Sequence, residues 1–236
     1  MQDRYAGDIG DYAKLALLRA LASDLKVGVA WYRYPDEFHN SDGRHTGYLN
    51  APETWRGLDE PLFDALRAIA AGERSVRALE AAALLPRCRY ASTPLELASP
   101  SFAERSRWRS RWFEDLLNLM ADRELVFADP DNGLCEDHRF SAGTKSAWKR
   151  LPLSEALKLS SGRCGVVYHH NTRRVGGHLE EIRYWLSRLG EGAMAVRWKR
   201  FSVRTFFIVN ATDAIRDRAK LFTHRWSQHA DLHENS

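Results

Sequence analysis

The sequence predicts an α/β protein of three layers: a Rossmann-like, mostly parallel sheet between helices, closed by a C-terminal antiparallel hairpin. Two observations predict it. Runs of β-branched and aromatic residues alternate with amphipathic runs along the chain, the order of parallel strands joined by crossover helices. The last two strand-like runs, AMAVRWKR (193–200) and FSVRTFFIVNA (201–211), follow each other directly. That leaves no room for a crossover helix, so they are expected to pair antiparallel.

Each element has its own signal. Residues 10–23, GDYAKLALLRALAS, place Tyr12, Leu15, Leu18 and Leu21 at helical spacing, with Asp8 or Asp11 available as a cap. KVGVAWYRY (26–34) is a strand ended by Pro35, and a polar loop runs on to residue 58. Residues 60–84 read as helix divided near Gly72, and CRYAS (88–92) as a short strand. A long helix covers 101–122, with Phe102, Trp108, Trp112, Leu116 and Met120 on its apolar side. ELVFAD (124–129) is the next strand, and a loop of almost twenty residues follows it. Then come a helix at 152–161 stopped near Gly162, a strand RCGVVYHH (163–170), and a helix at 178–190 ended by Gly190. One α/β domain is expected over 1–222, with a helical insertion at about 55–122. The polar stretch 223–236 is expected to be a flexible tail, its histidines frayed rather than metal-binding.

With 236 residues, 44% of them hydrophobic and eight of them Trp, the chain can fill a substantial core, which excludes a disordered protein. A net charge of +4 permits RNA or DNA as a partner without demanding it. Cys88, Cys135 and Cys164 are far apart and form no C-x-x-C pair, which suits reduced thiols. No apolar run approaches the roughly 18 residues of a membrane span, and charged residues follow Met1 closely. No membrane association is expected, and the expected location is cytoplasmic.

In open α/β sheets ligands bind beyond the carboxyl ends of the strands. Three segments should therefore share one rim: the loop after Tyr34, the turn Asp129–Pro130–Asp131–Asn132–Gly133, and the HHN run after Val167 and Tyr168. DPDNG is turn chemistry, yet it ends a strand apolar enough to be central. Asp129 can accept from an amine or hold a cation, and Asn132 can both donate and accept. Asp129, Asp131 and Asn132 are thus the catalytic candidates. In the loop, Asn40, Asp42, Gly43, Arg44 and His45 suit a binding segment, the glycines allowing close backbone approach. His169 and His170 are candidates for substrate contact, and because neighbours on a strand face opposite ways only one should face a given site. Asp11 and Lys14 on the first helix are further candidates to reach the rim, against the default of a solvated i,i+3 pair. RSRWRSRWFEDL (105–116) interleaves Arg with Trp as a nucleic-acid surface would, but the four-residue spacing of Trp108 and Trp112 reads better as a buried stripe with solvated arginines. RWKRFSVR (197–204) reads as a solvated sheet edge guarded by charge.

The strand followed by Asp-Pro-x-x, then loop, helix, strand, helix and hairpin, resembles the amino-group methyltransferases that use S-adenosylmethionine (SAM) and carry a D-P-P-Y motif. The similarity is to bacterial 23S ribosomal RNA adenine-N6 methyltransferases, and GDIGDYAKLALLRAL is similar in kind to their helix opening. The resemblance implies a class I methyltransferase fold, SAM as cofactor near residues 40–45, and Asp129 and Asn132 at the target amine. The chain departs from the motif at Asp131, where the motif has proline, and at Asn132, where the motif has an aromatic ring that stacks on the base. It also lacks a Gly-x-Gly loop after the first strand. The expected function is SAM-dependent methylation of an amino group on a nucleic-acid base or nucleotide. One rival is a metal-dependent nuclease or phosphohydrolase, with Asp129, Asp131 and His169 or His170 holding Mg or Mn. The other is a non-catalytic module binding nucleic acid or another partner.

Overall fold

A computed structural model describes residues 1–37, 43–95, 101–201 and 203–235. In chain order its main elements are α1 (Ile9–Ala22), β1 (Val27–Trp31), α2 (Pro52–Trp55), α3 (Glu60–Ala71), α4 (Val76–Ala81), β2 (Arg89–Ala91), α5 (Arg105–Leu119) and β3 (Leu125–Asp129). These are followed by β4 (Gly133–Cys135), β5 (Arg150–Pro152), α6 (Leu153–Leu159), β6 (Cys164–His170), α7 (Gly177–Leu189), β7 (Met194–Trp198), β8 (Arg204–Val209), α8 (Asp213–Arg225) and β9 (Ala230–Glu234). The α/β class with its mostly parallel central sheet is as expected.

Seven strands form the central sheet in the order β2-β1-β3-β6-β8-β7-β9. The pairs β1–β2, β1–β3 and β3–β6 are parallel, whereas β8 runs antiparallel to both β6 and β7. The expected hairpin of β7 and β8 is therefore present, with β8 lying between β6 and β7. Strand alternation then decides the two layers. Val29, Trp31, Phe127, Val166 and Phe206 join the core beneath α1, α3 and α8, while Ala30, Tyr32, Val126, Ala128, Val167 and Phe207 join the core beneath α5, α6 and α7.

Helix α1 lies deep because its composition allows it: Ala and Leu bury almost every position from Ile9 to Ala22. The Asp8 side chain caps it, accepting from the Gly10 and Asp11 amides at 2.7 and 3.1 Å. Gly72 closes α3 and separates it from α4, as its place in the sequence implied.

Three expectations are corrected. The segment 223–236 is no flexible tail where it is described. Ile215, Ala219, Phe222 and Trp226 recur at helical spacing on α8 and beyond, and all are buried. The chain then returns as β9, antiparallel to β7. A polar composition hid that four-residue stripe. The stretch at about 55–122, expected as a helical insertion within the domain, is not helical throughout, because β2 within it pairs with β1 in the central sheet. In the loop after β3, β4 and β5 form a small parallel pair of their own. Among the described residues no helix is long and apolar enough to cross a membrane.

Candidate active-site cleft

A polar cleft of about 210 Å³ opens at the carboxyl ends of β1, β3 and β6, against the start of α1. Gly43 and His45, Asp129–Asn132, and Tyr168 with His170 all line it. The loop, the turn and the HHN run thus share one rim. Sheet register explains the convergence: Trp31 stands beside Asp129 and His170 beside Arg204. Asp129, Tyr168, His170 and Arg204 are each in phase with the α1-facing core residues of their strands, so all four point toward α1.

Lys14 lies at the floor of the cleft. One turn beyond the α1 cap, its ammonium reaches Asp129 Oδ2 at 2.8 Å and Asp11 Oδ1 at 3.1 Å. The Trp31 and Tyr168 rings lie 5.6 and 5.7 Å from Nζ. The pair expected to be solvated is therefore buried, with Asp11 and Lys14 at 0% and 5% exposure. Burial alone would lower the Lys14 pKa, but Asp129 and Asp11 outweigh it and hold the ammonium above its ordinary range. Burial pushes the Asp11 carboxyl up to about 6 against the attraction of Lys14. Asp11 also accepts the Gly7 amide at 2.9 Å, tying the preceding turn to the helix.

Asp129 therefore commits Oδ2 to Lys14 while the residue itself still lines the cleft. Asp131 is also engaged. It accepts from Gln2 Nε2 at 2.8 Å, with Lys149 Nζ at 3.6 Å and the Met1 amino group at 3.8 Å. Burial would raise its pKa, and these partners, the amino group first, hold it below the ordinary carboxylate range. Asn132 differs from both. Its backbone amide donates to Lys149 O at 2.8 Å, while its exposed carboxamide lines the cleft with no hydrogen-bond partner among the described residues.

The two histidines divide as strand geometry requires. His170 lines the cleft. His169 faces the α7 layer, fully buried, and does not line this cleft, which corrects its place among the substrate and metal contacts there. Its Nδ1 accepts the Leu134 amide at 3.0 Å, so Nε2 carries the proton toward Glu181 Oε1 at 3.2 Å. Glu181 also accepts from the Thr172 amide and hydroxyl, at 2.8 and 2.6 Å, and from Asn171, whose oxygen accepts from Thr205. This network anchors the far side of the Asp129–Gly133 turn. Gly133 sits at φ +78° against it, where a Cβ would come within 2.6 Å of His169 Nδ1.

Asn40 and Asp42 lie outside the described residues. Arg44 is exposed and is not part of the cleft wall, whereas Gly43 lines the cleft at φ +80° and packs on the Arg4 backbone, where a Cβ would fall 2.6 Å from Arg4 O. Met1, Tyr5, Asp8, Tyr168 and Arg204 complete the lining without having been site candidates; Arg204, read with 197–204 as a solvated sheet edge, is instead buried on β8, an interior strand of the sheet. Arg204 had a readable signal, being a charge in phase with Phe206 and Ile208 on a buried strand. Gly10 matters to it: a Cβ there would fall 1.6 Å from Arg204 Nη1. The arginines of 105–116 are not all solvated either. Arg109 is buried, paired with Glu155 at 2.5 Å and ringed by Tyr32, Trp112, Phe113 and Phe140.

For a divalent cation the geometry is poor. Lys14 covers Asp129, His169 faces away, and among the described residues no three His, Cys, Asp or Glu side chains converge. Comparison with protein-family models gives no match, and comparison with the curated proteins gives none either.

Proposed function

We propose that the chain is a methyltransferase-like α/β protein whose rim cleft binds an amino-bearing nucleobase, free or within a nucleic acid. One observation carries this reading: the unpartnered Asn132 carboxamide in a polar cleft. A carboxamide offers a donor and an acceptor side by side, which matches an amino group next to a ring nitrogen, as adenine presents. Asp129 and Asp131, already neutralised, fix the turn that presents Asn132.

Methyl transfer from SAM is the second reading. It is favoured by the strand order, in which β3 with its Asp-Pro turn neighbours β1 and antiparallel β8 lies between β6 and β7. The cleft itself does not fit the whole cofactor. At about 210 Å³ it falls below the roughly 300–1,000 Å³ of pockets for comparable ligands. Met1 lies across the carboxyl end of β1, its amino group 2.7 Å from Tyr32 O. The nuclease reading draws no support from an Asp129 already paired with Lys14.

Titration calorimetry with adenosine, cytidine, SAM and its demethylated product separates these readings. Adenosine or cytidine binding that weakens about five- to a hundredfold in Asn132→Ala is expected, from the roughly 1–3 kcal/mol of a bidentate base contact. Tight SAM binding would put methyl transfer first. Failure of every nucleoside and oligonucleotide to bind would sink the base reading.

A further inference from the structure

We propose that the mouth of the cleft carries a stacking and phosphate-binding ledge, formed by Arg44–His45 and Arg200–Phe201, and that the ligand is single-stranded nucleic acid. The inference rests on the nucleobase reading and names its substrate class.

Phe201 carries the first part. Its ring is 57% exposed, and its backbone holds φ +61°, a left-handed conformation that bulky residues seldom adopt. The turn before it is fixed, because Trp198 Nε1 donates to Arg200 O at 3.0 Å. The Phe201 ring lies 5.7 Å from His45, which is part of the cleft wall, and 6.4 Å from the buried Trp55. Trp55 in turn stacks on His229 at 4.2 Å. An exposed ring thus stands on a packed aromatic column at the edge of the cleft. Such a platform takes a planar base of any identity.

Charge carries the second part. Arg44 and Arg200 each precede one of the two rings, both are exposed, and neither makes an ion pair among the described residues. Two uncompensated guanidiniums beside two rings match a strand that offers alternating phosphates and bases. The strand must be single, because stacking within a duplex hides the base face from Phe201. The Arg-Trp run on α5 shows the contrast. There Trp112 is buried and Arg109 is paired, so the same residue types serve packing.

The test uses the full chain and ten-residue single strands of mixed-sequence RNA and DNA, read by fluorescence anisotropy, with adenosine read by calorimetry. Phe201→Ala is expected to weaken oligonucleotide binding about five- to a hundredfold and to leave adenosine binding unchanged, with Phe201→Trp restoring the affinity. Arg44→Gln with Arg200→Gln is expected to flatten the logarithmic salt dependence by about 1.4, roughly 0.7 for each phosphate no longer neutralised. Either RNA or DNA meeting these expectations supports the ledge and identifies the strand. If the variants bind oligonucleotide as the parent does, with the parent slope, the ledge is overturned while the base reading stands. If neither oligonucleotide nor adenosine binds the parent chain, the base reading falls and takes the ledge with it.

Discussion

His169 and His170 are neighbours in the chain but belong to opposite faces of the sheet, and the two faces of this rim are built differently. On the α7 face, His169, Glu181, Thr172, Asn171 and Thr205 form a closed network in which each bond has a defined donor and acceptor. On the α1 face, Lys14 is shared between Asp11 and Asp129, and beside them Asn132 and His170 meet the cleft. One face holds the Asp129–Gly133 turn and the other uses it. A polar group buried with all its partners is support; one left open at a cleft edge, as the Asn132 carboxamide is, is available to a ligand.

The largest effect should come from breaking the charged face. Lys14→Met leaves two carboxylates buried together without their counter-charge, which costs roughly 3–5 kcal/mol by analogy with other broken buried pairs. Urea denaturation would measure it. Adding Asp129→Asn to Lys14→Met should recover part of that stability, since one of the stranded charges is gone. If the double variant is no more stable than the single one, Lys14 serves packing and the ionic account of this face is wrong.

His169→Ala should cost less, about 1–3 kcal/mol, because it strands the Leu134 amide without an acceptor, while both Glu181 oxygens keep a Thr172 or Asn171 donor. Hydrogen exchange at Leu134 is the sharper measurement. Its amide should exchange faster than in the parent protein even at matched global stability, since its acceptor is His169 Nδ1. Unchanged protection there would mean that the turn is held from elsewhere.

The sequence carried more of the fold than of the chemistry, for reasons particular residues make clear. Strand alternation put Phe127, Val166 and Phe206 on one face and Val126, Val167 and Phe207 on the other, and that parity needs no tertiary information. The rim followed from the strand ends, so Asp129, Asn132 and His170 were legible as neighbours. Partnership was not legible. Lys14 and Asp129 lie 115 positions apart, and nothing local to either announces a 2.8 Å contact. An i,i+3 Asp-Lys pair on a helix is ordinarily solvated, and here it is buried because an Ala- and Leu-rich helix is enclosed on nearly all sides. Arg109 misled in the same manner, since an arginine between tryptophans reads the same whether rings cover it or water does. At the C-terminus, Trp226 and Phe222 sat within a polar run whose composition outweighed their spacing.

The two faces should also respond to pH in opposite directions. Hydrogen bonds from His169 and Thr172 outweigh burial at Glu181 and hold its carboxyl at about 2, below its ordinary 4.5. Its contribution to stability is present above 4.5 and is lost as pH falls toward 2. Burial lifts Asp11 from 3.8 to about 6, so the fold favours its protonated form. Stability from this group is greatest below 3.8 and declines as pH rises through 6. Denaturation midpoints across pH 2–7 should therefore rise and then fall, with Glu181→Gln flattening the acid limb and Asp11→Asn the limb between about 4 and 6. Disappearance of both limbs in either single variant would mean that the faces titrate as one unit.

The smallest change in stability belongs to His170→Ala, which removes an exposed ring and should stay within about 0.5 kcal/mol of the parent protein. Its binding phenotype should be the reverse of that of His169→Ala. Nucleoside affinity measured by calorimetry should fall when the cleft-lining ring is removed. It should hold in His169→Ala at temperatures where the fold is intact. Equal destabilisation by the two substitutions would erase the distinction between a supporting face and a working one, because adjacent residues on one strand would then be playing one role.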